Sequence, residues 1–163
     1  MGKLNGLRII EIPKFKAIQF GPDTNDNIFG GGNPQIGLWM DTNKHMLKKG
    51  IIYGYTDFAW HVEDKTIWIW AVEDWVTEKD TAPFDLIEFE GGTYVVGVAD
   101  ENEQADRWAV NTEMSKWIEN SGIFERDEIH GQGMGNRIGD GIVEESLGIA
   151  QQEIFFRVKL RKK

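Results

Sequence analysis

Residues 84–100 read FDLIEFEGGTYVVGVAD. Two runs of β-branched and aromatic residues flank a Gly-Gly pair, the pattern of a strand that bulges or bends at Gly91–Gly92. The next stretch, NEQADRWAVNTEMSKWIENSG (102–122), is helix-like, with Trp108, Met114, Trp117 and Ile118 as inner positions and Gly122 as its stop. After a charged, glycine-rich stretch from Glu125 to Gly141, IVEESL (142–147) and QEIFFRVKL (152–160) read as two more strands. The order is β-α-β-β.

Working back from Phe84, the same order appears once more. LRIIEIPKFKAIQFGP (7–22) is a strand with Pro13 at a bulge or edge, and DTNDNIFGGGN (23–33) is a loop. Asn33 and Pro34 open a helix in which Ile36, Trp39, Met40 and Leu47 lie near one face and Gly50 ends it. IIYGYTDF (51–58) and IWIWAVEDW (67–75) follow as strands joined by a polar turn around Glu63, Asp64 and Lys65. The halves meet near Thr81–Ala82–Pro83, with pseudo-repeats of about 5–75 and 84–161 inside one domain of 163 residues. The expected fold is α+β: duplicated β-α-β-β modules, a largely antiparallel sheet, two main helices on one face, and the other face free to form an aromatic ligand cleft.

Composition narrows the function classes. Hydrophobic residues at 40% and charged residues at 28% are a globular mix, but seven tryptophans are unusual. The net charge of −9 repels phosphate backbones, so no direct nucleic-acid partner is expected, whereas an organic cation is not repelled. With no cysteine there are no disulfides, thiolate metal sites or cysteine nucleophiles. No segment looks like a signal peptide or a membrane span, and a cytoplasmic protein is expected. His61, Glu63 and Asp64 in HVED form a polar turn rather than a metal set, FGGGN lacks the Gly-Lys-Ser/Thr of a phosphate loop, and no metal or other cofactor is expected.

Two stretches bear on a site. In IWIWAVEDW, alternation puts Trp68 and Trp70 on one face with Val72, and Ile67, Ile69 and Ala71 on the other. The smaller face suits close helix packing, which leaves the indoles to fill a core or to line a cleft. Tyr53, Tyr55, Phe89, Tyr94 and Phe155 supply further aromatics. In GDGIVEESLG, alternation sends one of Glu144 and Glu145 with the apolar set. Read as an edge strand, it leaves both carboxylates solvated; read as a cleft wall, it half-buries Glu145, which then needs a proton, a pair or a cationic ligand.

Four places resemble one family. IIEIPKFKAIQF (9–20) resembles the first strand of the GyrI-like, or bacterial effector-binding, domain, the ligand-binding half of multidrug regulators such as BmrR and Rob. GYTDF (54–58) looks like the strand leaving its first helix. FEGGTYVVGVAD (89–100) is similar to its Gly-Gly-x-Tyr-Ala-Val pattern, with Val95 in place of alanine. GIVEESL and QQEIFFRVKL look like its glutamate-bearing strand and its last strand, with Arg157 where a proline is usual and Leu147 where an aromatic is usual. The resemblance covers essentially the whole chain. It implies a cleft between two halves, lined by aromatics and holding a carboxylate. The family's binding glutamate, on the strand before the last, maps onto Glu145, or onto Glu144 if the register is shifted by one.

The resemblance implies a stand-alone binder of bulky, flat aromatic or cationic molecules. The first strand begins too near the start of the chain for a helix-turn-helix to precede it. Trp68, Trp70, Tyr53, Phe89, Trp39 and Phe155 are the expected walls. Drug sequestration is one activity. The other is that of similar stand-alone members, which add water to the cyclopropane of DNA alkylators; here Glu145 would act as base, and Tyr55 or Tyr94 would donate to the dienone oxygen. The alternative is a gyrase-inhibitor type of protein-binding modulator, with an acidic surface engaging a basic protein partner.

Overall fold

The structure, a computed structural model, describes residues 6–49, 57–127, 134–138 and 141–163. In chain order the strands are β1 (Arg8–Ile12), β2 (Phe15–Asp23), β3 (Asp57–Val62), β4 (Lys65–Ala71), β5 (Asp85–Phe89), β6 (Gly92–Asp100), β7 (Phe124–Arg126), β8 (Met134–Ile138) and β9 (Gln151–Leu160). The helices are α1 (Asn25–Phe29), α2 (Pro34–Asn43), α3 (Glu78–Thr81), α4 (Gln104–Asn120) and α5 (Gly141–Leu147). The fold is α+β with antiparallel sheets, as the pattern predicts. Two compact units result: a mid-chain unit, Ile12–Gly91, and a two-segment unit, Met1–Glu11 with Gly92–Lys163.

The mid-chain sheet runs β3-β4-β2-β5, every pair antiparallel. Asn33 caps α2 as expected: its side chain accepts the Gln35 backbone N–H at 3.1 Å, and Pro34 takes the first turn. α1 lies in the stretch expected to be loop, nucleated by Thr24, whose hydroxyl accepts the Asn27 N–H at 3.2 Å. Ile28 of α1 and Ile36 and Trp39 of α2 pack with Ile18, Phe20, Trp68 and Trp70. The indole face is therefore the helix-covered face, the reverse of the expected arrangement. α1 and α2 cover that face in part, with Trp39 as their largest buried side chain, and Trp68 and Trp70 stay half-buried. On the opposite face, Ala17 beside Ala71 leaves room for larger rings. Phe15, Phe58, Trp60 and Phe89 occupy it, all buried, with Phe15 stacked on Phe89 at 4.7 Å.

In the two-segment unit, β6 and β9 pair from Thr93↔Val158 to Asp100↔Gln151. β8 and β7 share the other edge of β9, and β1 flanks β6. Val110, Met114 and Ile118, spaced i, i+4, put one stripe of α4 onto Val95, Ile154 and Phe156. Trp108 lies off that stripe and is exposed, not an inner position; Trp117 is half-buried against Phe124. The basic C-terminal end closes α4: the Arg161 guanidinium donates to the carbonyls of Glu119 (2.8 Å) and Phe124 (2.7 Å).

Two further expectations are corrected. The opening strand is two, β1 and β2, divided at Pro13–Lys14, where proline withdraws a ladder donor. β5 pairs with β2 (Phe15↔Phe89), and the mid-chain unit runs to Gly91. Residues 141–147 form α5 instead of a strand. Glu144, Glu145, Ser146 and Leu147 continue a helical turn, and Gly148, at φ 72°, closes it by donating its N–H to the Glu144 carbonyl at 2.8 Å. Among the described residues no helix is long and apolar enough to cross a membrane, and no group of His, Asp or Glu is arranged to hold a metal.

Candidate functional site

The turn at Glu63–Asp64 fixes the β3–β4 register, setting Asp57 opposite Trp70 and Ala59 opposite Trp68. Opposed residues of an antiparallel pair share a face, so a carboxylate joins the two indoles. Trp68 Nε1–H donates to Asp57 Oδ2 at 3.0 Å. The indoles meet edge to face, centroids 5.2 Å apart at 64°. Phe29, at the end of α1, stands 5.0 Å from Trp68 at 61°, and Phe20 lies 5.9 Å from it on β2. Burial pushes the Asp57 carboxyl above the usual carboxylate range, partly opposed by the indole hydrogen bond.

The corner is half open. Trp68, Trp70 and Asp57 are half-buried, while Phe29 keeps 49% of its surface exposed. Trp70 Nε1 is buried with no hydrogen-bond partner among the described residues. At the corner's polar edge, His61 Nδ1 lies 3.1 Å from the Thr66 hydroxyl, which donates to Asn25 of α1. Two accessible indoles beside a desolvated carboxylate can hold an organic cation, since ring faces attract positive charge and a buried carboxylate gains from a counter-charge.

No family model and no curated protein matches the chain. Solved structures do. The EcmrR C-terminal domain superposes with a TM-score of 0.65 at 19% identity, over 94% of this chain and 96% of that one. SAV2435 bound to tetraphenylphosphonium gives 0.56 at 14% identity, over 94% and 93%. A hydrolase from Listeria innocua gives 0.56 at 17% identity, over 94% and 91%. The fold is GyrI-like.

Within this GyrI-like fold the residues expected at the site fall in both units. Trp68 and Trp70 stand together. Phe89 is buried on the opposite face of the same sheet. Trp39 is a core residue, 5% exposed, with its indole N–H donated to the Asp80 carbonyl at 3.1 Å. Tyr94 and Phe155 lie in the two-segment unit, buried on the side of its sheet away from α4, rings edge to face at 6.4 Å. Burial raises the Tyr94 phenol above its usual range, opposed by the Arg157 guanidinium that hydrogen-bonds to it. The strand before the last is β8, MGNRI, which carries no acid; Glu145 is exposed on α5 and Glu144 half-buried beside it. Tyr53 and Tyr55 fall outside the described residues.

Two carboxylates escaped the sequence reading. Glu153, 2% exposed on β9, pairs with Arg8 of β1, and its Oε2 has no hydrogen-bond partner among the described residues. Its in-register neighbours are Val98 on β6 and Asn136 on β8, and Phe155, next along its face, is fully buried. Asp57 is the accessible one. Its signal was present in DFAWHV: alternation opposes Asp57 to the apolar pair Phe58 and Trp60, and a two-residue turn carries it back onto the tryptophan strand.

Proposed function

We propose that this chain binds bulky organic cations and flat aromatic molecules at the corner formed by Asp57, Trp68 and Trp70. One observation carries the reading: a desolvated carboxylate is hydrogen-bonded to one half-exposed indole and sits directly opposite a second. The likeness to the EcmrR C-terminal domain and to SAV2435 with its phosphonium ligand supports it. Binding without turnover is drug sequestration.

Titration with tetraphenylphosphonium while recording tryptophan emission tests this. Saturable quenching is expected in the unmodified protein, and Trp68→Ala should weaken binding roughly tenfold, the loss of one desolvated cation–π contact. Absence of saturable quenching sinks the reading. Salt-sensitive capture of a basic protein instead would move the chain to the gyrase-inhibitor class.

Hydrolysis of cyclopropane-bearing alkylators is the second reading, supported by the likeness to the Listeria hydrolase and by the raised Asp57 carboxyl. In it Asp57, rather than Glu145, positions the water. The water oxygen bonds to a ring carbon, the strained C–C bond breaks, and the dienone oxygen ends with the proton. A product heavier by one water, absent in Asp57→Asn, is the expected result; an unaltered alkylator removes this activity.

A further inference from the structure

We propose that Phe29 is a movable jaw that selects planar ligands by closing them against Trp68. The inference rests on the cation-binding reading above and adds the residue that discriminates ligand shape.

The two sides of the Phe29–Trp68 contact differ in how they are held. Trp68 sits in the interior of the sheet, on β4 between β2 and β3, with its N–H on Asp57 and its ring against Trp70 and Phe20. It is the fixed jaw. α1 is fixed up to residue 28. Asp23 Oδ1 accepts the Asn27 side-chain amide at 2.9 Å, Asn25 accepts the Thr66 hydroxyl, and Ile28, 4% exposed, seats over Gly21, where an added Cβ would lie 3.1 Å from Ile28 Cδ1. Phe29 comes next, half exposed, and three glycines follow it. Gly31, at φ 80°, has nothing within 4 Å of where a Cβ would stand. The Gly30 and Gly32 N–H groups both donate to the Asp26 carbonyl, at 2.9 and 3.1 Å, so the backbone on either side of Phe29 is held and its exposed side chain is the part left to move.

Ring geometry supplies the selection. The rings now lie 5.0 Å apart at 61°, an edge contact. A flat ligand between two parallel rings needs two gaps of about 3.5 Å, so roughly 7 Å between them. Phe29 must therefore turn toward parallel and withdraw by about 2 Å, a side-chain rotation that its exposed position leaves unopposed. A cation with a tetrahedral centre does not fit such a slot. It rests on Trp68 and Trp70 and takes nothing from the jaw.

The test compares planar ethidium with tetrahedral tetraphenylphosphonium, by fluorescence titration and calorimetry, in the unmodified chain and in Phe29→Ala, Phe29→Tyr and Asp57→Asn. Phe29→Ala should weaken ethidium roughly tenfold and the phosphonium less than about twofold, with the melting temperature kept; Phe29→Tyr should restore ethidium binding. If Asp57→Asn weakens both probes while Phe29→Ala leaves their ratio unchanged, the jaw is overturned and the binding site stands. If the unmodified chain binds neither probe, both fall together.

Discussion

Asp57→Asn is expected to bind tetraphenylphosphonium roughly ten- to a hundredfold more weakly than the unmodified protein while melting at a higher temperature. The substitution keeps the shape and an oxygen that can accept the Trp68 N–H, now at 3.0 Å. It removes the charge and turns one acceptor oxygen into an NH2 donor. That charge is what a cationic ligand would gain from, and also what burial beside two indoles makes unfavourable in the free protein. A purely structural aspartate would behave in the opposite way, losing stability on substitution and leaving ligand binding alone. Equilibrium titration and thermal melts of both proteins in one buffer separate the cases; an Asn variant that is less stable at neutral pH and binds normally sinks the assignment.

The pH dependence follows with a definite sign. Asp57's folded pKa is raised, with burial the larger cause and the Trp68 hydrogen bond opposing it. Between its unfolded and folded values the native state holds the proton more tightly, so stability contributed through this group falls as pH rises across that window. The destabilisation is fully present above the folded pKa and vanishes below the unfolded one. The gap in melting temperature between the unmodified and Asn proteins should therefore close on acidification. Over the same interval cation affinity should decline, at a pH where ordinary surface carboxylates remain ionised.

How far the sequence carried differs between fold and site. Strands written as runs of β-branched and aromatic residues, such as β4 and β9, and a helix marked by Asn33–Pro34, were legible because local chemistry fixes them. α5 was not: Ile142 and Val143 favour a strand, and only Gly148 in the left-handed conformation marks a helix end. Which side of β4 takes the helices was also hidden, because both of its faces are apolar and either could be covered. The indoles were found from composition, but their carboxylate was sought on the strand before the last. It lies instead on β3, where register alone brings Asp57 to Trp70. Sequence periodicity gives faces; it does not give partners across a ladder until the turn length is fixed.

Gly91→Ala should be the most destabilising single methyl in the described chain, lowering stability by about 3 kcal/mol or more. Gly91 follows β5 at φ 75°, in the left-handed region, and an added Cβ would stand 2.3 Å from the Ile12 carbonyl oxygen, 2.8 Å from the Pro13 carbonyl carbon and 2.9 Å from the Lys14 nitrogen. All three are backbone atoms of the β1–β2 link, so no side chain can rotate aside. Relief requires moving the link, and with it Phe15, whose ring stacks on Phe89 at 4.7 Å. Gly122 provides the control. Its φ of 67° is similar, yet nothing lies within 4 Å of its Cβ position. Alanine there should lose only the backbone preference, about 1 kcal/mol. Denaturant unfolding of the two variants isolates the close approach from the dihedral. Equal losses would mean that the link yields freely, and that the tight passage at Gly91 does not hold β5 and β2 in register.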